Sequence, residues 1–404
     1  MTKDWLDARL RSGDDGELDA EPLGVVDDPY ASVDDLAKHA GIRSIEMLAW
    51  RDLDHPEAGG SEVHASRVAE RWAAAGVDVT ITASRSPGEP RSATVEGYKV
   101  ERPAGRYAIF PVAAARAVAR RLRARPDATV EIWNGMPFFS PLWAGERRMV
   151  FLHHVHDRMW DLVMPAPLAA LGRTIESRLA PGCYRRTPVV TLSESSRDQI
   201  VSNLGLDAAQ VTVVRPGVDE RFRPARRRDR DPLIVAVGRL VPYKRFDRLI
   251  EVLVKLRERH PSLQAVIAGE GSERQALEAL ASAHGATGWL SIPGRIGDAE
   301  LVELYQRAWV VASASAYEGW GLTLTEAAAC GTPAVASPIS GHVDAVLDGR
   351  SGFLAEPGDP MVDALDWIIS NDLLRRRLHA GALDYASKLT WDRTALESMR
   401  VLAR

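Results

Sequence analysis

Short apolar runs alternate with longer helix-prone segments along most of the chain. Runs of about five residues suit buried strands, and apolar positions spaced three and four apart suit helices packed on a sheet. Strands are predicted at residues 43–50, 77–82, 98–101, 128–133, 149–153, 188–192 and 211–214. A glycine turn, Gly59-Gly60, opens a helix that runs to about Ala75, where Gly76 supplies a stop. Residues 110–124 read as a helix, and Ser193 caps another. Proline, glycine and charge then replace the apolar pattern over residues 215–231, which reads as a linker. A second series has strands at 233–238, 263–268, 288–292, 309–313 and 333–337, and the chain ends in a helix after Trp391. Strand–helix alternation on this scale predicts parallel sheets covered by helices.

Length sharpens that picture. The 404 residues exceed what one core organises, so two domains of about 200 residues are expected. The pattern divides the chain into an acidic extension over 1–42, a first domain over 43–218, a second domain over 219–384 and a closing helical segment over 385–404. A net charge of −4 offers no field for nucleic acid. Cys183 and Cys330 lie far apart without metal spacing, which fits a reducing compartment. The amino terminus carries no apolar signal core, and no apolar run approaches the ~18 residues of a membrane span. A soluble cytoplasmic protein is expected, with peripheral contact at the inner membrane face as a second setting. Arg116, Arg120 and Arg123 share one side of the 110–124 helix and are the candidates for that contact, although a solvated helix face has the same pattern.

Candidate chemistry concentrates after the strand at 309–313. There the chain reads Glu318-Gly319-Trp320-Gly321-Leu322-Thr323 and enters a helix holding Glu326. Strand, glycine turn and helix start make an anion site from free backbone N–H groups and the helix dipole. Carboxylates repel phosphate, so Glu318 and Glu326 are expected to serve hydroxyls. A phosphate cradle flanked by hydroxyl acceptors suits a nucleotide-sugar. After the first strand of the second series come Gly238, Arg239 and Lys244, two cations able to neutralise a diphosphate leaving group, or else ordinary loop cations. Gly269 and Arg295 sit in turns after later strands, where a base could approach the backbone or where plain turns stand. His153, His154 and His156 follow a strand, and neighbouring strand side chains point opposite ways, so one shared metal ion is disfavoured. The triplets Asp52-Leu53-Asp54 and Asp229-Arg230-Asp231 are read as incidental.

Together these motifs resemble retaining glycosyltransferases of the GT-B fold, specifically glycosyltransferase family four. The resemblance runs from about residue 43 to the end. It rests on the Gly59-Gly60 loop, His153, the Arg239/Lys244 pair and the Glu318/Glu326 pair. It implies two doubly wound Rossmann-like domains facing a central cleft, with the acceptor on the first and the nucleotide-sugar donor on the second. It implies that Arg239 and Lys244 hold the diphosphate, Glu326 the ribose, and Glu318 and His153 the transferred sugar. Backbone amides around Trp320 to Thr323 would face sugar and phosphate, Gly60 would close over the phosphates, and the helix at 385–404 would cross back to the first domain. The turn Ser340-Gly341-His342-Val343-Asp344 departs from the family, which more often has a double glycine and Glu there. The expected activity is metal-independent, cofactor-free hexosyl transfer from GDP-mannose, UDP-glucose or UDP-N-acetylglucosamine to a hydroxyl of a small molecule, glycan or lipid-linked acceptor. A sugar-nucleotide epimerase, a phosphorylase or a non-catalytic sugar-nucleotide-binding subunit are the alternatives. The missing G-x-G-x-x-G disfavours a nicotinamide oxidoreductase.

Overall fold

The computed structural model describes residues 31–120, 125–225 and 228–404. Most of the acidic stretch, and Arg121 and Arg123 of the arginine-rich helix, lie outside the described residues. The described residues up to Gly217, together with residues 390–404, form one compact unit, and residues 218–389 form the other.

In the first unit, β1 (Ser44–Leu48), β2 (Asp78–Ser84), β3 (Ser92–Val95), β4 (Tyr98–Ala104), β5 (Ala128–Ile132), β6 (Arg148–Phe151), β7 (Val189–Thr191) and β8 (Val211–Val213) form one sheet in the order β3-β4-β2-β1-β5-β6-β7-β8. All its pairings are parallel except the β3/β4 hairpin at one edge. Central strands are buried on both faces, as the run Ala128–Ile132 shows at every position. The helix Gly60–Ala74 buries Val68, Ala69 and Trp72 against this sheet. The last helix, Trp391–Ala403, packs on it, and the Trp72 indole donates to the Ala395 carbonyl at 3.0 Å. Gly217 is required where the chain leaves this unit, because a Cβ there would stand 2.1 Å from the Trp391 amide nitrogen. The ordered fold starts earlier than residue 43. A helix at Val33–Ala40, capped by Ser32, buries Leu36 and Ala37 in the same core.

In the second unit, β9 (Leu233–Val237), β10 (Gln264–Ala268), β11 (Leu290–Gly294), β12 (Val310–Ser313), β13 (Ala334–Ala336) and β14 (Gly352–Leu354) run parallel in the order β11-β10-β9-β12-β13-β14. This is the doubly wound order in which the sheet is built outward from its first strand in both directions. The direction reverses between β9 and β12 here, and between β1 and β5 in the first unit. Ligands of open α/β sheets bind beyond the carboxyl ends of strands at such reversals. Two helices, Asp359–Ser370 and Asp372–Ser387, follow the sheet, and both belong to this unit. This unit extends to Leu389, where the Tyr385 hydroxyl donates to the Asp344 carbonyl at 2.6 Å and Ala386 packs with Ala328.

Candidate functional site

The β9/β12 reversal gathers the residues that stood out in the sequence. After β9 the chain passes Gly238 and Arg239 into a single turn, Pro242–Lys244. Arg245 then takes a left-handed φ of 52°, rare for a side chain of its size, and its guanidinium is held by Asp247 at 3.0 Å. Strain of this kind is retained where the following geometry matters. Here it ends the turn with the Lys244 ammonium against Glu318 in the loop after β12. The two loops are also joined through backbone, Ala316 N–H donating to the Tyr243 carbonyl at 2.8 Å. Glu318 also accepts from the Ser315 hydroxyl at 3.0 Å. Burial alone would raise its carboxyl pKa, but the Lys244 ammonium beside it, aided by His342 and Ser315, holds it below the ordinary range. Glu318 is thus an ionised, positioned acceptor, with its side chain 15% exposed.

Arg239 lies at the same edge, its guanidinium donating to the Tyr243 hydroxyl at 2.5 Å. The glycine turn leads to the helix Leu322–Ala329, with Gly321 at its start in a left-handed conformation, φ 114°. Leu324 and Thr325 donate back to the Gly321 carbonyl, so Leu322 and Thr323 present the outward N–H groups of the first turn. The Trp320 side chain is buried and serves the core, which leaves its backbone as the part able to meet a ligand. Gly341 backs this turn so closely that a Cβ would stand 2.6 Å from the Trp320 nitrogen. The Ser-Gly departure noted in the sequence therefore lies directly behind the site. Glu326, inside the helix, accepts from the Tyr305 hydroxyl at 3.3 Å, and burial raises its pKa to about 7.

Gly269 is required by its packing: at φ 148°, a Cβ there would stand 1.8 Å from the Gly238 carbonyl oxygen of the neighbouring loop. Leu240 N–H donates to the Glu270 carbonyl at 2.8 Å and continues this loop-to-loop contact. Arg295 stands exposed after β11.

His153, Gly59 and Gly60 belong to the other unit and line the carboxyl edge of its sheet. His153 lies two residues beyond the end of β6, buried, with Nε2 3.2 Å from Nδ1 of His64. Burial, with His64 and His154 nearby, drives its pKa well below the usual value, so it is a neutral hydrogen-bonding group. His64 was not legible as its partner, because it lies on a helix 89 residues away. The Gly59 N–H donates to Glu62 at 2.7 Å, and Glu62 also meets Arg51 at 3.2 Å. The Asp52/Asp54 triplet clamps the fully buried Arg102, at 2.6 and 2.7 Å from Asp52 and 2.8 Å from Asp54.

Two family models match. "Glycosyltransferase Family 4" matches residues 58–222 and "Glycosyl transferases group 1" matches residues 218–384. The D-inositol 3-phosphate glycosyltransferase of Nocardioides sp. is 30% identical over 94% of this chain and 92% of its own length. The chain belongs to glycosyltransferase family four. The enzyme of the same name from Stackebrandtia nassauensis is 31% identical over 88% of the chain and 90% of its own length. Among solved structures, the sucrose-phosphate synthase of Thermosynechococcus elongatus superimposes with a TM-score of 0.75 at 19% identity, covering 89% of this chain and 98% of that one. Anabaena HepE, solved with UDP and glucose, gives 0.68 at 18% identity over 89% and 98% of the two chains. The fold of this glycosyltransferase is GT-B, and the family draws on nucleotide-sugar donors. Among the described residues, no helix is long and apolar enough to cross a membrane.

Proposed function

We propose that this glycosyltransferase moves a hexosyl unit from a UDP-sugar to a hydroxyl of a small phosphorylated polyol, with retention at the anomeric carbon and without a metal ion. The observation that carries the reading is the Lys244–Glu318 pair at the β9/β12 reversal. It puts a cation for the leaving phosphate beside a carboxylate for sugar hydroxyls, at the start of a helix. Arg239 and Lys244 neutralise the diphosphate, and the Leu322 and Thr323 amides complete its cradle. Glu326 takes the ribose hydroxyls, and Glu318 takes a hydroxyl of the transferred sugar. The parts given to Gly59, Gly60 and His153 toward the donor rest on the family resemblance.

In the proposed step, the bond from the anomeric carbon to the β-phosphate oxygen breaks. The acceptor oxygen joins the same face, and its proton passes to the departing phosphate oxygen. The site needs no nucleophile of its own, because Lys244 and Arg239 stabilise the charge developing on the leaving group. The choice of a UDP donor is supported by the HepE complex, and that of a phosphorylated polyol by the names of the relatives that match end to end.

Thermal shift with UDP-glucose, UDP-N-acetylglucosamine and GDP-mannose tests the donor, since a ligand at ~100 times its Kd adds about 2.7 kcal/mol. Transfer to D-inositol 3-phosphate in the presence of a chelator tests the rest. No shift with any of the three overturns the reading. A need for free phosphate would indicate a phosphorylase, and a new sugar nucleotide formed without acceptor would indicate an epimerase.

A further inference from the structure

Ten large apolar side chains stand exposed among the described residues, and four of them lie within residues 162–179. Leu162 is 42% exposed, Leu168 and Leu171 each 54%, and Leu179 58%. They belong to a run of short helices after β6: Met159–Val163, Ala166–Thr174, the wider turn Ile175–Leu179, and Ala180–Tyr184. Their inner side is tightly fixed. Ala169, Gly172, Glu176, Ala180 and Tyr184 are buried, and a Cβ on Gly172 would stand 2.8 Å from the Trp160 ring. Glu176 accepts from the backbone of His156 and Asp157 and from the Trp160 indole, at 2.9, 3.2 and 2.9 Å. The outer leucines are therefore held out by a packed element, and they are not the frayed end of one.

Charge decides what covers them. Arg158, Arg178, Arg185 and Arg186 are exposed around the same helices. The exposed acids of the stretch are Asp157 and Asp161, and Asp161 is taken by Arg173 at 2.5 Å. Leu168 and Leu171 share one side of Ala166–Thr174, and Arg178 and Leu179 follow in the wider turn after it. The patch is cationic on a chain whose net charge is −4. A two-fold contact between copies would set this patch against itself, arginine facing arginine, which disfavours a second copy as the occupant. Leucines flanked by arginines instead suit the headgroup region of an anionic bilayer. The helix first considered for such contact fits less well. Its Arg116 is paired with Glu101, and Arg121 and Arg123 lie outside the described residues.

We infer that residues 158–186 form a peripheral docking surface for anionic lipid bilayers, next to the His156–Asp157 turn at the carboxyl edge of the first sheet. This does not depend on the donor or acceptor named above.

The full chain is mixed with vesicles of phosphatidylcholine alone or with phosphatidylglycerol added, at low salt, and sedimented. Binding is expected to the anionic vesicles and to weaken as salt rises. Arg178→Gln with Arg185→Gln should weaken it roughly thirtyfold, and Leu168→Gln with Leu171→Gln should reduce it further. All four positions are exposed, so melting temperature and the nucleotide-sugar thermal shift should stay unchanged. Failure of the wild-type chain to bind anionic vesicles would overturn the inference, as would equal binding by the variants. A dimer seen by light scattering and dissolved by the leucine variants would overturn it in favour of a second copy. Loss of the nucleotide-sugar response with vesicle binding intact would instead count against the transfer reaction.

Discussion

The two sheets share one winding order, yet their reversal edges use charge in opposite ways. At the β1/β5 edge, polar groups are spent on one another. Arg51 joins Glu57 and Glu62, and Arg102 joins Asp52 and Asp54. Glu131 collects the Phe138 and Ser140 amides and the Tyr184 hydroxyl at 2.7 to 3.1 Å. At the β9/β12 edge, the charges are fewer and one pair, Lys244–Glu318, spans the two loops. The first edge is braced from within, which suits loops that must hold shape while their exposed tips vary. The second keeps groups that a ligand can engage, and its cost is strain at Arg245 and a carboxyl at Glu326 that burial brings to about 7.

Breaking the pair at the second edge should give the largest effect. Lys244→Ala removes the cation that meets the leaving phosphate, so turnover is expected to fall by about a thousandfold or more. Melting temperature should also fall, because Glu318 loses the ammonium that holds it ionised, so the turnover loss is read at a temperature where the variant is folded. Near-normal sugar transfer by this variant would place the chemistry elsewhere. Breaking the first edge should show in stability. Asp52→Ala leaves the Arg102 guanidinium buried without its two-point partner, an arrangement that costs about 3–5 kcal/mol. A denaturant midpoint unchanged in this variant would mean that water reaches Arg102 and that the brace is not one.

How much of each edge could be read from the chain follows from the same contrast. The second edge is built from short segments, Gly238 to Lys244 and Glu318 to Glu326, each carrying its own spacing and turn signals. Its residues were therefore visible before the fold was known, except Tyr243, Ser315 and His342, which look like ordinary loop residues. The first edge depends on partners far apart: Arg102 lies 50 residues from Asp52, and Tyr184 lies 53 from Glu131. No local pattern marks them. The strands stood out because they are apolar runs. β3 and β14 did not: β3 is a half-exposed edge strand, and β14, at the edge of its sheet, opens on a glycine and so offers only two apolar residues. Gly269 was legible as a glycine that mattered, but its reason, the Gly238 carbonyl, lies on another loop.

A smaller effect should sharpen what the second edge does with its carboxyls. Burial of its carboxyl pushes the Glu326 pKa up to about 7 in the absence of a ligand. Ribose hydroxyls donate to the ionised form, so the donor binds that form and pulls the pKa down. Donor affinity should therefore be full above pH 7 and fall as pH drops below it, by up to about tenfold per unit. Titration calorimetry from pH 5.5 to 8.5 measures this. Glu326→Gln should bind more weakly at pH 8 and lose the slope. A wild-type affinity flat across that range would remove Glu326 from the ribose.

The mildest test concerns His342, whose imidazole lies behind the glycine turn and is 1% exposed. Its Nδ1 lies 3.0 Å from the Ser337 carbonyl, which also accepts from the Ile339 amide, while Nε2 is buried without a partner. Replacing it with Leu removes the orphaned nitrogen and leaves Ser337 satisfied, so at pH 8 stability should change by less than about 1 kcal/mol. Burial lowers the His342 pKa in the fold, against the opposing pull of Glu318. The unfolded chain therefore binds the proton more readily, and the histidine's contribution is lost as pH falls below its unfolded value near 6.5. His342→Leu should thus gain on the wild type in melts at pH 5 relative to pH 8. If the gap between the two proteins stays constant across that range, His342 binds its proton equally well in the folded and unfolded chains, and burial behind the turn does not lower its pKa.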